Sequence, residues 1–275
     1  MHLFNISITL CKISTFTTLW FLFSCSDQEQ IKSCNPLNGL DKILIPGQVV
    51  LLGEIHGTKE GPEYIGIMAC NALRKDLDVT IGLELPQSDQ GTIDEYLESK
   101  GRTKDKRSIL DLPFWSREYQ DGRASEAMLE LIEYARRLKS SGEKINVVLI
   151  DNPNSGNRDL EMAQKVIQEA KRLPSNIIIV LTGNYHNMIY EGSKQMWGYV
   201  LDQLGDEKVT SLNLAYTGGS AWVDVAGEGF GPVQLGGSGI NQIGIFLDPR
   251  MGNYDGTLEV VTIHHSSPAK DQISY

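Results

Sequence analysis

The 275-residue sequence predicts an α/β fold: a mostly parallel central sheet flanked by helices, with added strands toward the C-terminus. Two observations carry this. Runs of strand length at 48–54, 79–85, 145–152 and 176–184 are apolar almost throughout instead of alternating, as strands buried on both faces are. Segments with helical spacing separate them, and strand–helix alternation calls for crossovers covering a parallel sheet. The 41% hydrophobic content supports a substantial core.

In chain order, "QVVLLGE" is the first strand and "GPEYIGIMACNALRK" the helix after it. "VTIGLEL" is the second strand, and "SDQGTIDEYLESKG" opens on a Ser cap and closes on Gly101 as a helix does. "RASEAMLELIEYARRLKSSG" places Met128, Leu131, Ile132, Ala135 and Leu138 on one face, an amphipathic helix. "INVVLIDN", "NRDLEMAQKVIQEAKRL" and "NIIIVLTGN" continue as strand, helix and strand. After "VTSLNLAYTGG" the chain is glycine-rich from Gly218 to Gly244, then ends in two strand-like runs, "IGIFLD" and "LEVVTIHH". These read as strands added at one side of the sheet. The glycine-rich stretch is no nucleotide loop, for it has neither G-x-G-x-x-G at a strand-to-helix turn nor a Walker lysine.

The N-terminus reads as an address. Ile13 to Ser24 is apolar but short for a transmembrane helix. It ends in Leu22-Phe23-Ser24-Cys25, which resembles a bacterial lipobox. The expectation is a lipoprotein signal peptide over 1–24, a lipid on Cys25, a polar tether over 25–40 and one α/β domain over 41–275. The protein would then be anchored in the cell envelope, facing the periplasm or the exterior, and on the outer membrane in a Gram-negative host. Formal charge is −10 with no basic block, which excludes a nucleic-acid partner. Cys34 and Cys70 remain for a disulfide, which an oxidising compartment permits, although sequence does not show that they meet.

Ligands of open α/β sheets bind at the carboxyl ends of the strands. The four main strands end in Glu54 and His56, in Glu84, in Asp151 and Asn152, and in Asn184, Tyr185 and His186. Buried strands have no structural need for terminal acids. Arg123, after the aromatic stretch "FWSREYQDG", is either a clamp for an anionic group or a surface cap. Arg158 opens a helix against the dipole, which asks for another reason. His264 and His265 read as ordinary surface residues.

The segment Gly53-Glu54-Ile55-His56-Gly57-Thr58, with Glu60, resembles the strand-end motif of the erythromycin esterase-like, ChaN-like and Tiki-like superfamily. "GLELP", "NRDLEMA" and "TGNYHNM" resemble later motifs of that superfamily, in the same order. The resemblance implies an α/β fold and three alternative activities: esterases with a histidine general base, metal-dependent proteases, and haem-binding lipoproteins. Under the first, His56 takes a proton from water, Glu54 or Glu84 orients it, and His186 or Arg158 stabilises the oxyanion. Arg123, Asp151, Asn184 and Tyr185 would bind the substrate, a small molecule or peptide. Glu54, His56, Glu84 and His186 also make a two-His, two-carboxylate candidate set for a divalent metal. Under the haem alternative, Tyr185 or His186 is the ligand. A serine mechanism is disfavoured, because no G-x-S-x-G elbow is present.

Overall fold

The computed structural model describes residues 34–188, 194–248 and 253–272. Cys25 and the expected signal peptide lie outside them. The described chain folds around one eight-stranded sheet: β1 (Val49–Glu54), β2 (Val79–Pro86), β3 (Ile145–Asp151), β4 (Ile177–Gly183), β5 (Val209–Asp224), β6 (Phe230–Gly236), β7 (Gly244–Leu247) and β8 (Gly256–Ile263). Strand order is β3-β2-β4-β1-β5-β8-β7, and β6 pairs with β5 off this path. The pairings through β3, β2, β4, β1, β5 and β8 are all parallel, while β6 and β7 are antiparallel to their neighbours. The fold class read from the sequence holds, including the added C-terminal strands.

The uniform apolarity of the central strands follows from their two covered faces. Val50 and Leu52 of β1 enter one core with Ile81, Leu83, Ile179 and Leu181. That core is closed by α1 (Glu60–Leu73), α2 (Gln90–Leu97) and α5 (Glu126–Ser140). Val49 and Leu51 enter the other with Ile178 and Val180, under α6 (Arg158–Arg172) and α8 (Met196–Leu204). Successive residues point to opposite faces, so the strand carries no polar side until its end. Between these helices stand α3 (Thr103–Leu110), α4 (Pro113–Ser116) and α7 (Asn184–Asn187).

Four local expectations change. Ser88 does not cap α2: the helix starts at Gln90 and the Ser88 hydroxyl donates to Asp89 instead. Gly101 is likewise not its stop, since α2 ends at Leu97. Part of the glycine-rich stretch is the strand β6, an edge position where Pro232 costs no ladder bond. Residues 34–40 are packed instead of tethering. Leu37 and Leu40 belong to the core, and Cys34 is bonded to Cys70 of α1. No helix among the described residues is long and apolar enough to cross a membrane.

Candidate active site

Because β1 to β4 are parallel, their carboxyl ends lie along one edge and bring their terminal residues together. Glu84, buried at the end of β2, is the centre. Its Oε2 accepts from the Gly183 amide at 2.8 Å and lies 3.3 Å from Nε2 of His56. Its Oε1 accepts from Arg123 at 3.1 Å and Arg158 at 3.0 Å, and lies 3.7 Å from Nε2 of His186.

Each histidine is tied at its other nitrogen. His56 Nδ1 meets Glu54 Oε1 at 3.2 Å, and Thr58 donates to the second Glu54 oxygen at 3.2 Å. His186 Nδ1 meets Asp159 Oδ1 at 2.8 Å, and that oxygen also accepts from the Met196 amide at 2.9 Å. A carboxylate on Nδ1 fixes ring orientation and leaves Nε2 for chemistry.

The glycines around Glu54 and His56 have steric reasons. A Cβ at Gly61 would come 1.7 Å from Glu54 Oε2, and one at Gly183 would come 3.0 Å from His56 Nε2. Gly57 sits at φ +79°, against the Trp222 carbonyl. The loop after His56 is further held by its Lys59 amide, which donates to the His264 carbonyl, and by a bridge between Thr58 and His265. His264 and His265 thus support the motif from outside, His264 paired with Glu60 and His265 with Ser220.

Charge follows this geometry. Burial pushes the Glu84 carboxyl up, but His56, His186 and Arg123 overcome it and hold Glu84 well below the usual carboxylate range. Burial pushes His56 down, but Glu84 and Glu54 prevail and raise it to about 10. Burial dominates at Glu54, which stays raised despite His56 and Thr58.

Two residues expected to bind substrate do other work. Asp151 is fully buried and accepts from Arg123 at 2.9 Å and Arg158 at 2.9 Å. It therefore anchors the two guanidinium groups and does not face a ligand. Arg123 spends Nε, Nη1 and Nη2 on Asp121, Glu84 and Asp151. That pins the loop before α5 to the rim and leaves no fork for an anion. Arg158 differs, since Nε and Nη2 are held while Nη1 makes no hydrogen bond among the described residues. Tyr185 is exposed, edge-on to His186 with centroids 6.1 Å apart. Asn184 lines a separate cleft beside the rim.

The four-residue metal set does not fit a divalent cation. Both Glu84 oxygens already face positive or donating groups, and Arg123 and Arg158 stand where a cation would be repelled. Among the described residues, no group of three His, Cys, Asp or Glu is arranged to hold a metal. Sequence reasoning left out Thr58, Asp121 and Asp159 as members of the site. Asp159 had a signal, an acid beside Arg158 in the first turn of α6, but an acid there also satisfies the helix dipole.

No protein-family model matches the chain, and no curated protein does. Solved structures do. A succinoglycan biosynthesis protein shares 10% identity at a TM-score of 0.61, over 88% of this chain and 98% of its own. A Bacillus cereus protein shares 10% at 0.61, over 86% and 95%. An erythromycin esterase mutant in its open conformation shares 13% at 0.57, over 82% and 93%. At these identities the likeness is one of fold alone, and the chain shares its fold with these three structures, the erythromycin esterase among them.

Proposed function

We propose that this protein is an extracytoplasmic lipoprotein hydrolase that cleaves an ester, lactone or amide by histidine general-base catalysis. The observation that carries the reading is the paired arrangement of His56 and His186. Each has its own carboxylate on Nδ1, and both direct Nε2 toward Glu84. Two oriented imidazoles at one strand-end rim provide a base and an acid.

The geometry favours a division of labour different from the one read in the sequence, where His56 is the base. Both ring nitrogens of His56 face carboxylates, which keep it protonated at neutral pH. His186 has Asp159 on Nδ1, while its Nε2 is too far from Glu84 for a good hydrogen bond. In our reading, His186 Nε2 takes a proton from water as the water oxygen bonds to the acyl carbon. The carbonyl electrons move to oxygen, and the Arg158 Nη1 hydrogens and the His56 cation stabilise that oxyanion. The tetrahedral intermediate then collapses. The acyl–oxygen or acyl–nitrogen bond breaks, and the leaving group takes a proton from an imidazolium. The base contributes about 10²- to 10⁴-fold and an oxyanion donor about 10²- to 10³-fold.

The test is turnover by the purified protein against p-nitrophenyl acetate, lactones and amides, with and without divalent metals. His186→Ala and His56→Ala should each lower kcat by about 10³-fold with the circular dichroism spectrum unchanged. Full activity in both variants would reject the reading. A stoichiometric Soret band on haem addition, lost in Tyr185→Phe, with no turnover of any substrate, would replace it with the haem-carrier alternative.

A further inference from the structure

Beside the rim, between the end of β1, the middle of β5 and the start of the segment after β6, lies a cleft of about 510 Å³. Ile55, next to His56, and Asn184, two residues before His186, form its near side. Asn213 of β5, in register with Gly53 of β1, and Gly237 and Ser238 also line it. The cleft exists because β5 stops pairing with β1 at Asn213 and starts pairing with β6 only at Gly218. The glycine-rich chain then folds onto the open edge of β5, with Gly239 donating to the Tyr216 carbonyl at 2.8 Å and Gly237 to that of Thr217 at 3.2 Å. Such close approach needs glycine, since a Cβ at Gly237 would fall 2.0 Å from the Tyr216 oxygen.

The chemistry of the lining is specific in two ways. Among the described residues no charged side chain lines the cleft, although the rim beside it is dense with charge. The side-chain amides of Asn184 and Asn213 and the Ser238 hydroxyl make no hydrogen bond among the described residues, although both asparagines are half-buried. Each amide offers both donors and an acceptor. A ligand that satisfies such groups carries donors and acceptors on adjacent atoms, bears no charge and has an apolar edge for Ile55. Vicinal hydroxyl groups on a ring meet all three conditions.

We propose that this cleft binds a neutral, polyhydroxylated group of sugar type and positions the scissile acyl bond attached to it at the His56–His186 rim. The catalytic half of the proposal rests on the hydrolase reading. The binding half does not. The absence of charge disfavours an ionic ligand, and the paired donor–acceptor groups favour sugar over peptide, because the N–H and C=O of a trans peptide point to opposite sides whereas each hydroxyl of a diol both donates and accepts.

Two measurements on the full-length protein test it. The first is titration with methyl glucoside, methyl glucuronide and an N-acetyl dipeptide amide, followed by NMR. Saturable binding of the glucoside alone is expected, weakened about tenfold in Asn213→Leu through loss of hydrogen bonds. The second is the ratio of kcat/KM for methyl 6-O-acetyl-glucoside to that for p-nitrophenyl acetate, expected to fall about tenfold in the same variant. Asn213→Leu is accepted only if its melting temperature matches wild type. Otherwise Ser238→Ala, in an exposed segment, carries both measurements with a drop of about threefold. Glucoside binding without hydrolysis of either ester would uphold the cleft and remove the hydrolase reading. Ester hydrolysis with no glucoside binding and an unchanged ratio would overturn the cleft and leave the hydrolase reading standing. Equal or tighter binding of the glucuronide or the dipeptide would also overturn it.

Discussion

Glu84 Oε2 lies 3.3 Å from His56 Nε2, with both side chains held by further partners at the end of the sheet. One buried carboxylate here faces two histidines and two arginines. Removing its charge while keeping its shape isolates that role. Glu84→Gln leaves Arg123 and Arg158 short of negative charge in a buried setting, which costs about 3–5 kcal/mol. The expected result is a melting temperature lower by roughly 10 °C at pH 7 and loss of turnover. Differential scanning calorimetry checks it, and an unchanged melting temperature would remove Glu84 as the electrostatic centre.

The same pair sets a pH dependence of stability with two limbs. His56 is raised in the folded protein from 6.5 to about 10. Its contribution is therefore complete below about pH 6.5 and is lost as pH rises toward 10. Glu84 is lowered from 4.5. Its contribution is complete above that value and is lost as pH falls through the folded value. Melting temperature should be highest between about pH 5 and 7 and should decline by on the order of 5 °C toward pH 10. His56→Ala should flatten the alkaline limb. A flat wild-type curve from pH 6 to 10 would contradict the doubly paired imidazole.

How far the sequence led depends on the kind of signal. Strands buried on both faces announce themselves as unbroken apolar runs, so β1 to β4 and their terminal residues were legible, and the parallel topology brought Glu54, His56, Glu84 and His186 together. What a residue does at the rim was not legible. Arg123 and Asp151 stand at strand and loop ends as a substrate clamp would, yet they face each other at 2.9 Å. Type and position cannot separate a charge that meets a ligand from one that meets its neighbour. Several elements escaped, among them α8 and the short α4 and α7, and for two the reason is local. Helix α3, "TKDKRSIL", has apolar residues only in its last turn, and β6, "FGPVQLG", carries proline and glycine that strands usually avoid. The Asp159 contact to His186 joins α6 to α7 across 27 residues, and only the folded chain reveals it.

Two glycines of similar helical setting should respond oppositely to alanine. Gly61 is in the first turn of α1, where a Cβ would press on the Glu54 carboxylate. Gly61→Ala should cost about 1–3 kcal/mol from overpacking, displace Glu54 and lower kcat by disorienting His56. Gly91 is in the first turn of α2, where a Cβ would meet nothing within 4 Å. Gly91→Ala should stabilise by about 0.5–1 kcal/mol through reduced backbone freedom in the unfolded chain. Urea titration of both variants reads the contrast, and a neutral Gly61→Ala would show that Glu54 has room to move.

The bond between Cys34 and Cys70 should govern stability without governing chemistry. Its Cα atoms are 5.8 Å apart and its partners are 36 residues apart in sequence. Closing a loop of that length restrains the unfolded chain by about 3–4 kcal/mol. The bond also holds Leu37 and Leu40 against the core. Helix α1 begins at Glu60 beside the rim and reaches Cys70 near its far end. At 1.5 Å per residue, about 15 Å of helix separates the bond from the motif. Reduction, or the double change Cys34→Ser and Cys70→Ser, should lower the melting temperature by about 10 °C. kcat at 25 °C should stay within about twofold, since distant sites act independently. Lost turnover with an unchanged melting temperature would mean that α1 transmits the bond to Glu54 through Gly61, and that the disulfide belongs to the site after all.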